Sequence, residues 1–131
     1  MPIPWDATTM STRQADIDEQ HQEWIGAFNQ FERIVQEGKG MEALRGALNF
    51  FAQYAERHFV LEEARMAELH CPAAEANRTA HAHFRAMISL MQQQVRQAEI
   101  HFDQVIALEI ELANWLVDHI CTVDIELRLV A

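Results

Sequence analysis

The chain has 131 residues, 50% of them hydrophobic, with 20 acidic against 10 basic side chains and a formal net charge of −10. That length is one domain, 1–131, with enough chain for a single core. The acidic balance argues against nucleic acid or an anionic membrane as partner, because phosphate binding needs clustered Lys and Arg.

No run reaches the ~18 apolar residues that span a bilayer. The amino end, Met1-Pro2-Ile3-Pro4-Trp5-Asp6, lacks the basic and apolar regions of an export signal, so a cytoplasmic location is expected. Cys71 and Cys121 stand apart with no C-x-x-C pair. They are expected as small buried or half-buried thiols and not as a disulfide.

Pro2 and Pro4 mark an extended N-terminal arm. The first helix is predicted from about Asp18 to Glu37. Asp16 or Asp18 is placed to cap it, and Asp16 with Glu19 has the spacing of a capping box. Its stripe is Ile17, His21, Trp24, Phe28, Phe31 and Val35, in alternating steps of four and three that share one side. Gly38-Lys39-Gly40 ends it. The second helix, about Met41 to Leu69, carries Leu44, Leu48, Phe51, Ala55, His58, Glu62, Met66 and Leu69 at the same period.

Cys71-Pro72 is the next break. The third helix is predicted to start near Pro72, since proline is tolerated at the first helical position. Its stripe is Ala74, Asn77, His81, Phe84, Ile88, Met91 and Val95. A weaker break at Ile100-His101-Phe102 precedes the fourth helix, about Phe102 to Leu129, with Val105, Leu108, Leu112, Trp115, His119 and Val123. Met41, Met66, Met87 and Met91 read as core fillers, and Glu109 and Glu111 as a solvated face. Nothing alternates like a strand over a useful length. The expected fold is all-α: an up-down-up-down antiparallel four-helix bundle with an extended N-terminal arm.

Each stripe puts a ligand-type residue where leucine would be expected. A single core histidine is more often one that donates to a backbone carbonyl than a metal ligand. Four of them, His21, His58, His81 and His119, with the carboxylates Glu62 and Asp124, change that weighing. Leaving one buried polar group unsatisfied costs roughly 1–3 kcal/mol, and an unpaired carboxylate costs more. A domain with a net stability of roughly 5–15 kcal/mol does not carry six such groups unpaired. They must pair with one another or with a cation.

The heights agree. His58 lies about eleven residues, ~17 Å, before the end of its helix, and His81 about nine residues, ~14 Å, into the next. His58 and Glu62 are four apart and share a face. His119 and Asp124 are five apart, roughly 140° around an ideal helix. They share a site only if it lies off-axis between them or the helix is locally widened. Mixed imidazole and carboxylate donors suit iron, manganese or zinc. Six donors exceed one tetrahedral zinc, so two metals with bridging carboxylates are expected. The order His58-x-x-x-Glu62 weighs against the Glu-x-x-His of ferritin-like proteins.

With these residues in place the chain resembles the hemerythrins, specifically the bacterial single-domain type. The matching features are Trp5, Ile17-Asp18-Glu19-Gln20-His21, His58-Phe59-Val60-Leu61-Glu62-Glu63, and Trp115-Leu116-Val117-Asp118-His119-Ile120 followed by Asp124. The resemblance implies a non-heme centre of two iron ions that binds O2 reversibly. It implies His21 and His58 on the iron with the open position, Glu62 and Asp124 as bridges, and His81 and His119 on the other iron. It also implies a further histidine four residues before His81, where this chain has Asn77. Three outcomes stay open there: Asn77 ligates through its amide oxygen, a water fills the position, or the second metal is lost.

His83, two residues beyond His81, points ~200° away from it. His70 lies ~12 Å beyond Glu62 at a helix end. Both, with His101, read as surface or loop histidines. Trp115, Leu116 and Ile120 wall the open position by resemblance, and ordinary core packing describes them nearly as well.

The function implied is an O2 carrier, store or sensor, with O2 or another small diatomic as ligand, and no enzymatic activity. Two rivals are carried. One is an iron-dependent enzyme acting on peroxide or nitric oxide at a labile second iron. The other is a metal-binding module with an incomplete second site, serving an unidentified protein partner.

Overall fold

A computed structural model describes residues 2–97 and 101–130. Ile100 of the predicted third break, and Met1 and Ala131 at the ends of the expected domain, lie outside them. The helices are α1 (Ala7–Met10), α2 (Ala15–Glu37), α3 (Met41–Glu68), α4 (Ala74–Arg96) and α5 (Phe102–Thr122), followed by a 3-10 helix, Asp124–Leu129. No strand occurs among the described residues. The four long rods α2 to α5 form the antiparallel four-helix bundle.

The arm is less extended than its prolines imply. Asp6 caps the single turn of α1, accepting from the Thr8 N–H at 3.0 Å. Ahead of it, the Ile3 N–H donates to Asn29 Oδ1 at 2.8 Å and the Ile3 carbonyl accepts from Asn29 Nδ2 at 2.9 Å. One side-chain amide of α2 thus pairs residue 3 as a neighbouring strand would.

α2 starts at Ala15, and the Asp16–Glu19 capping box does not form. Asp16 instead makes a two-point contact with Arg65 at 2.6 and 3.1 Å. Asp18 accepts from the Ser11 hydroxyl at 2.6 Å and the Thr12 N–H at 2.7 Å, fastening the loop before the helix. A charged fork and a loop N–H win over the helix's own first donors. Gly38 ends α2 at φ 60, ψ 43, a left-handed conformation in which a side chain would be strained.

α4 starts at Ala74, later than Pro72. The Cys71 carbonyl accepts from the Ala74 N–H at 3.0 Å, making a turn with proline in its second position. His101 caps α5, its own N–H donating to Gln104 Oε1 at 2.9 Å. α5 does not run to Leu129. It ends at Thr122, and the chain tightens into the 3-10 helix that carries Asp124. Arg128 of that helix donates to the carbonyls of Ala7, Thr8 and Ser11 at 3.1, 2.7 and 2.5 Å.

The stripes turn inward. Trp24, Phe28, Phe31, Phe51, Phe59 and Phe84 are fully buried and pack as one aromatic core. Trp24 meets Phe59 and Phe84 edge-on at 5.5 Å. Burial of each such ring contributes roughly 1.5–3 kcal/mol. Cys71 is buried, Cys121 half-buried, and both are free. His70, His83 and His101 are exposed.

One expectation fails on α5. Glu111 is exposed, but Glu109 is buried and faces Glu32 of α2. Burial and the neighbouring Glu32 carboxyl push its pKa up to about 7. Glu109 lies four residues after Val105 and three before Leu112, so it belongs to the inward stripe and not to the solvated face.

Candidate metal centre

Four rods and the 3-10 helix each deliver side chains to one layer. α2 brings His21, α3 brings His58 and Glu62, α4 brings His81, α5 brings His119, and the 3-10 helix brings Asp124. None of the six is more than 3% exposed. The change of helix type resolves the five-residue spacing. The chain leaves the α-helix at Val123 and tightens, where a widened helix was one expectation, and this swings Asp124 round to His119 at 2.9 Å.

The carboxylates divide their oxygens. Glu62 Oε2 lies 3.2 Å from Nε2 of His21 and 2.9 Å from Nε2 of His58. Its Oε1 lies 3.1 Å from Nε2 of His81. Asp124 does the same, with Oδ2 2.9 Å from His21 and Oδ1 2.9 Å from His119. Two groups of converging donors result: His21, His58, Glu62 and Asp124; and Glu62, His81, His119 and Asp124. Within each, one ligand atom per residue lies within 4.8 Å of every other.

These contacts have hydrogen-bond lengths without hydrogen-bond geometry. Nε2 of His21 and His58, and both oxygens of Glu62 and Asp124, have no hydrogen-bond partner. Nε2 of His81 faces Nε2 of His119 at 3.2 Å. Lone pairs brought together at buried points, from imidazoles and carboxylates, are the donor set that iron or manganese takes. The residues therefore fit a pair of such ions.

The charge balance points the same way. Burial opposes protonation of His21, but Asp124 and Glu62 outweigh it and raise its pKa to about 9. His119 is raised to about 10, burial again being overcome by Asp124 and Glu62. His58, buried and beside His21, is lowered. Burial favours the neutral form of Glu62, yet the imidazoles of His58, His119 and His21 hold it well below the carboxylate range. The pocket holds the Glu62 carboxylate ionised and demands positive charge beside it, from protons on His21 and His119 when metal is absent.

A second ring of contacts orients the imidazoles. Nδ1 of His58 meets Gln20 Oε1 at 3.1 Å. Nδ1 of His81 meets Glu63 Oε2 at 3.1 Å, and Arg85 meets Glu63 at 3.4 Å and Glu56 at 2.9 Å. Phe59 lies flat on His81 with ring centroids 3.7 Å apart. Gln20 and Glu63 belong to none of the inward stripes, and nothing in those stripes assigns them a role. The doubled acid Glu62-Glu63 was the available signal, since the second carboxylate must face away from the first by about 100°.

Asn77 is on the stripe as expected, fully buried one turn before His81. Trp115 is half-buried and lies on His119, centroids 4.6 Å apart and planes 11° from parallel. Leu116 and Ile120 are fully buried in the aromatic core.

The family described as "Hemerythrin HHE cation binding domain" matches residues 12–127. Among solved structures, wild-type hemerythrin superposes with a TM-score of 0.87 at 20% identity, covering 99% of this chain and 98% of its own. A single-substitution mutant of hemerythrin gives the same 0.87, 20%, 99% and 98%. At that identity the likeness establishes the fold. No curated protein matches the chain.

Proposed function

The chain belongs to the hemerythrin HHE cation-binding family, and on that premise we propose a non-heme di-iron protein that binds O2. The observation that carries this reading is the division of Glu62 and Asp124, each with one oxygen toward His21 and the other toward the His81 and His119 pair. In this reading His21 and His58 hold one iron, His81 and His119 the other, and Glu62 and Asp124 bridge them. Two irons would supply together the pair of electrons that reversible O2 binding requires.

The chain's own residues set the conditions. Gln20 and Glu63 hold the imidazoles of His58 and His81 with Nε2 turned inward. The indole of Trp24 lies against His58 and that of Trp115 against His119, and with the buried Leu116 and Ile120 they would supply the apolar surface that keeps water from the open position. No helix among the described residues is long and apolar enough to cross a membrane. We place the protein in the cytoplasm as an O2 carrier, store or sensor without turnover chemistry. Reduced, iron-loaded protein titrated with O2 is expected to give a near-ultraviolet band that disappears when O2 is removed. Iron-loaded protein without that reversible band rules the reading out.

A second reading, an enzyme acting on peroxide or nitric oxide, is favoured by Asn77, which leaves the second iron one imidazole short. Sustained consumption of either substrate by the iron-loaded protein would select it.

A further inference from the structure

Asn77 is an anomaly that the six converging residues leave unexplained. Its side chain is fully buried, yet neither Oδ1 nor Nδ2 has a hydrogen-bond partner. Buried amides are almost always satisfied, so each such exception calls for a missing partner. Asn77 is four residues before His81, stacked on the same face of α4, and so borders the group formed by Glu62, His81, His119 and Asp124.

That group now has the same donors as its neighbour. His21 and His58 face one oxygen from each carboxylate, and so do His81 and His119. An imidazole at position 77 would make the second set larger and fill its shell. An amide differs from an imidazole ligand in one useful respect: its N–H donors sit directly beside its acceptor oxygen, whereas the one N–H of a ligating imidazole lies on the far side of the ring.

Resting on the di-iron reading above, we propose that the metal position at His81 and His119 is open to a small external anion, which Asn77 holds by donating from Nδ2. The centre then takes two such ligands, one on each metal position. The class is a compact anion with a second acceptor atom beyond the one that ligates, such as azide, nitrite or hydroperoxide. Binding is an exchange of anion for water, with no electron transferred. The orphaned amide N–H thereby gains an acceptor.

The test is azide binding to the ferric, iron-loaded protein, followed by calorimetry and equilibrium dialysis. Two azides per pair of irons are expected. Asn77→Leu, which keeps the volume and removes the donor, is expected to retain both irons and to weaken the second azide roughly 10-fold or more. Asn77→His is expected to bind one azide, because the new imidazole occupies the position. The metal-free Asn77→Leu protein is expected to melt no lower than the metal-free parent, since the amide has no protein partner to lose. One azide per pair of irons in the parent, an undiminished second azide in Asn77→Leu, or a lowered metal-free melting temperature in that variant overturns the proposal alone. A parent that takes up no iron overturns it together with the di-iron reading.

Discussion

Glu63 faces Nδ1 of His81 at 3.1 Å, whereas the residue facing Nδ1 of His58 at the same distance is Gln20, a neutral amide. A carboxylate holds the Nδ1 proton more firmly and makes Nε2 the better donor. The imidazole beside Asn77 is thus the one with the stronger support. Glu63→Gln is expected to weaken the metal position at His81 and His119 by roughly 10–100-fold and to leave the other nearly unchanged. A competitive iron titration resolved into two steps measures this, and equal weakening of both steps contradicts it.

Removing a bridge differs from removing a histidine. Glu62→Ala deletes donors from both groups at once, so iron per chain is expected to fall toward zero. His21→Ala touches only the group that contains His58, and a single iron is expected to remain at His81 and His119. Elemental analysis of the purified variants decides. Loss of both irons from His21→Ala would mean that the two positions fill only together.

Chelation removes the charge that Glu62 and Asp124 face. Free metal at a thousandfold excess over its dissociation constant stabilises the folded state by about 4 kcal/mol. For a chain of this length that corresponds to roughly 10 °C or more in Tm. Protons bound at His21 and His119 supply part of the missing charge, so the fall is expected to be larger at pH 9 than at pH 7. A melting temperature unaffected by chelation speaks against buried metal.

Glu109 gives the stability a pH dependence away from the centre. Its pKa rises from an ordinary 4.5 to about 7 on burial next to Glu32, so the folded chain holds a proton that the unfolded chain has released. The resulting stability is complete below pH 4.5 and is lost as pH climbs through 7. Glu109→Gln, which cannot ionise, is expected to gain about 1–2 kcal/mol over the parent at pH 8 and little at pH 5. Urea midpoints at the two pH values test it. A gain of equal size at both would assign the effect to packing.

The stripes made the rods legible, because a period near 3.6 survives wherever one side of a helix is buried. His21, His58, Glu62, His81 and His119 could be found as polar intruders on them, and the matching heights of His58 and His81 followed from helical rise alone. Asp124 was recognisable as a candidate, but its approach was not, since an α-to-3-10 transition has no signature in a run such as Val123-Asp124-Ile125-Glu126. Glu109 was misread although its spacing from Val105 and Leu112 put it inside. A lone acid on an apolar stripe is usually discounted, and here its partner is on a different helix. The grip of Arg128 on the turn at Ala7–Met10 depends on contacts more than a hundred residues apart in the chain, which local patterns do not record.

Asp124 follows the last rod, on a tight coil whose Arg128 grasps carbonyls near the opposite end of the polypeptide. During biosynthesis, therefore, no nascent fragment ending short of that aspartate possesses both shared carboxylates. On the di-iron reading, a complete pair of metal positions is expected only after the fourth rod has left the ribosome and the clasp has closed. Fusions or tags that pry residues 7–11 from Arg128 should consequently show themselves first as sluggish cofactor insertion, before any loss of helix.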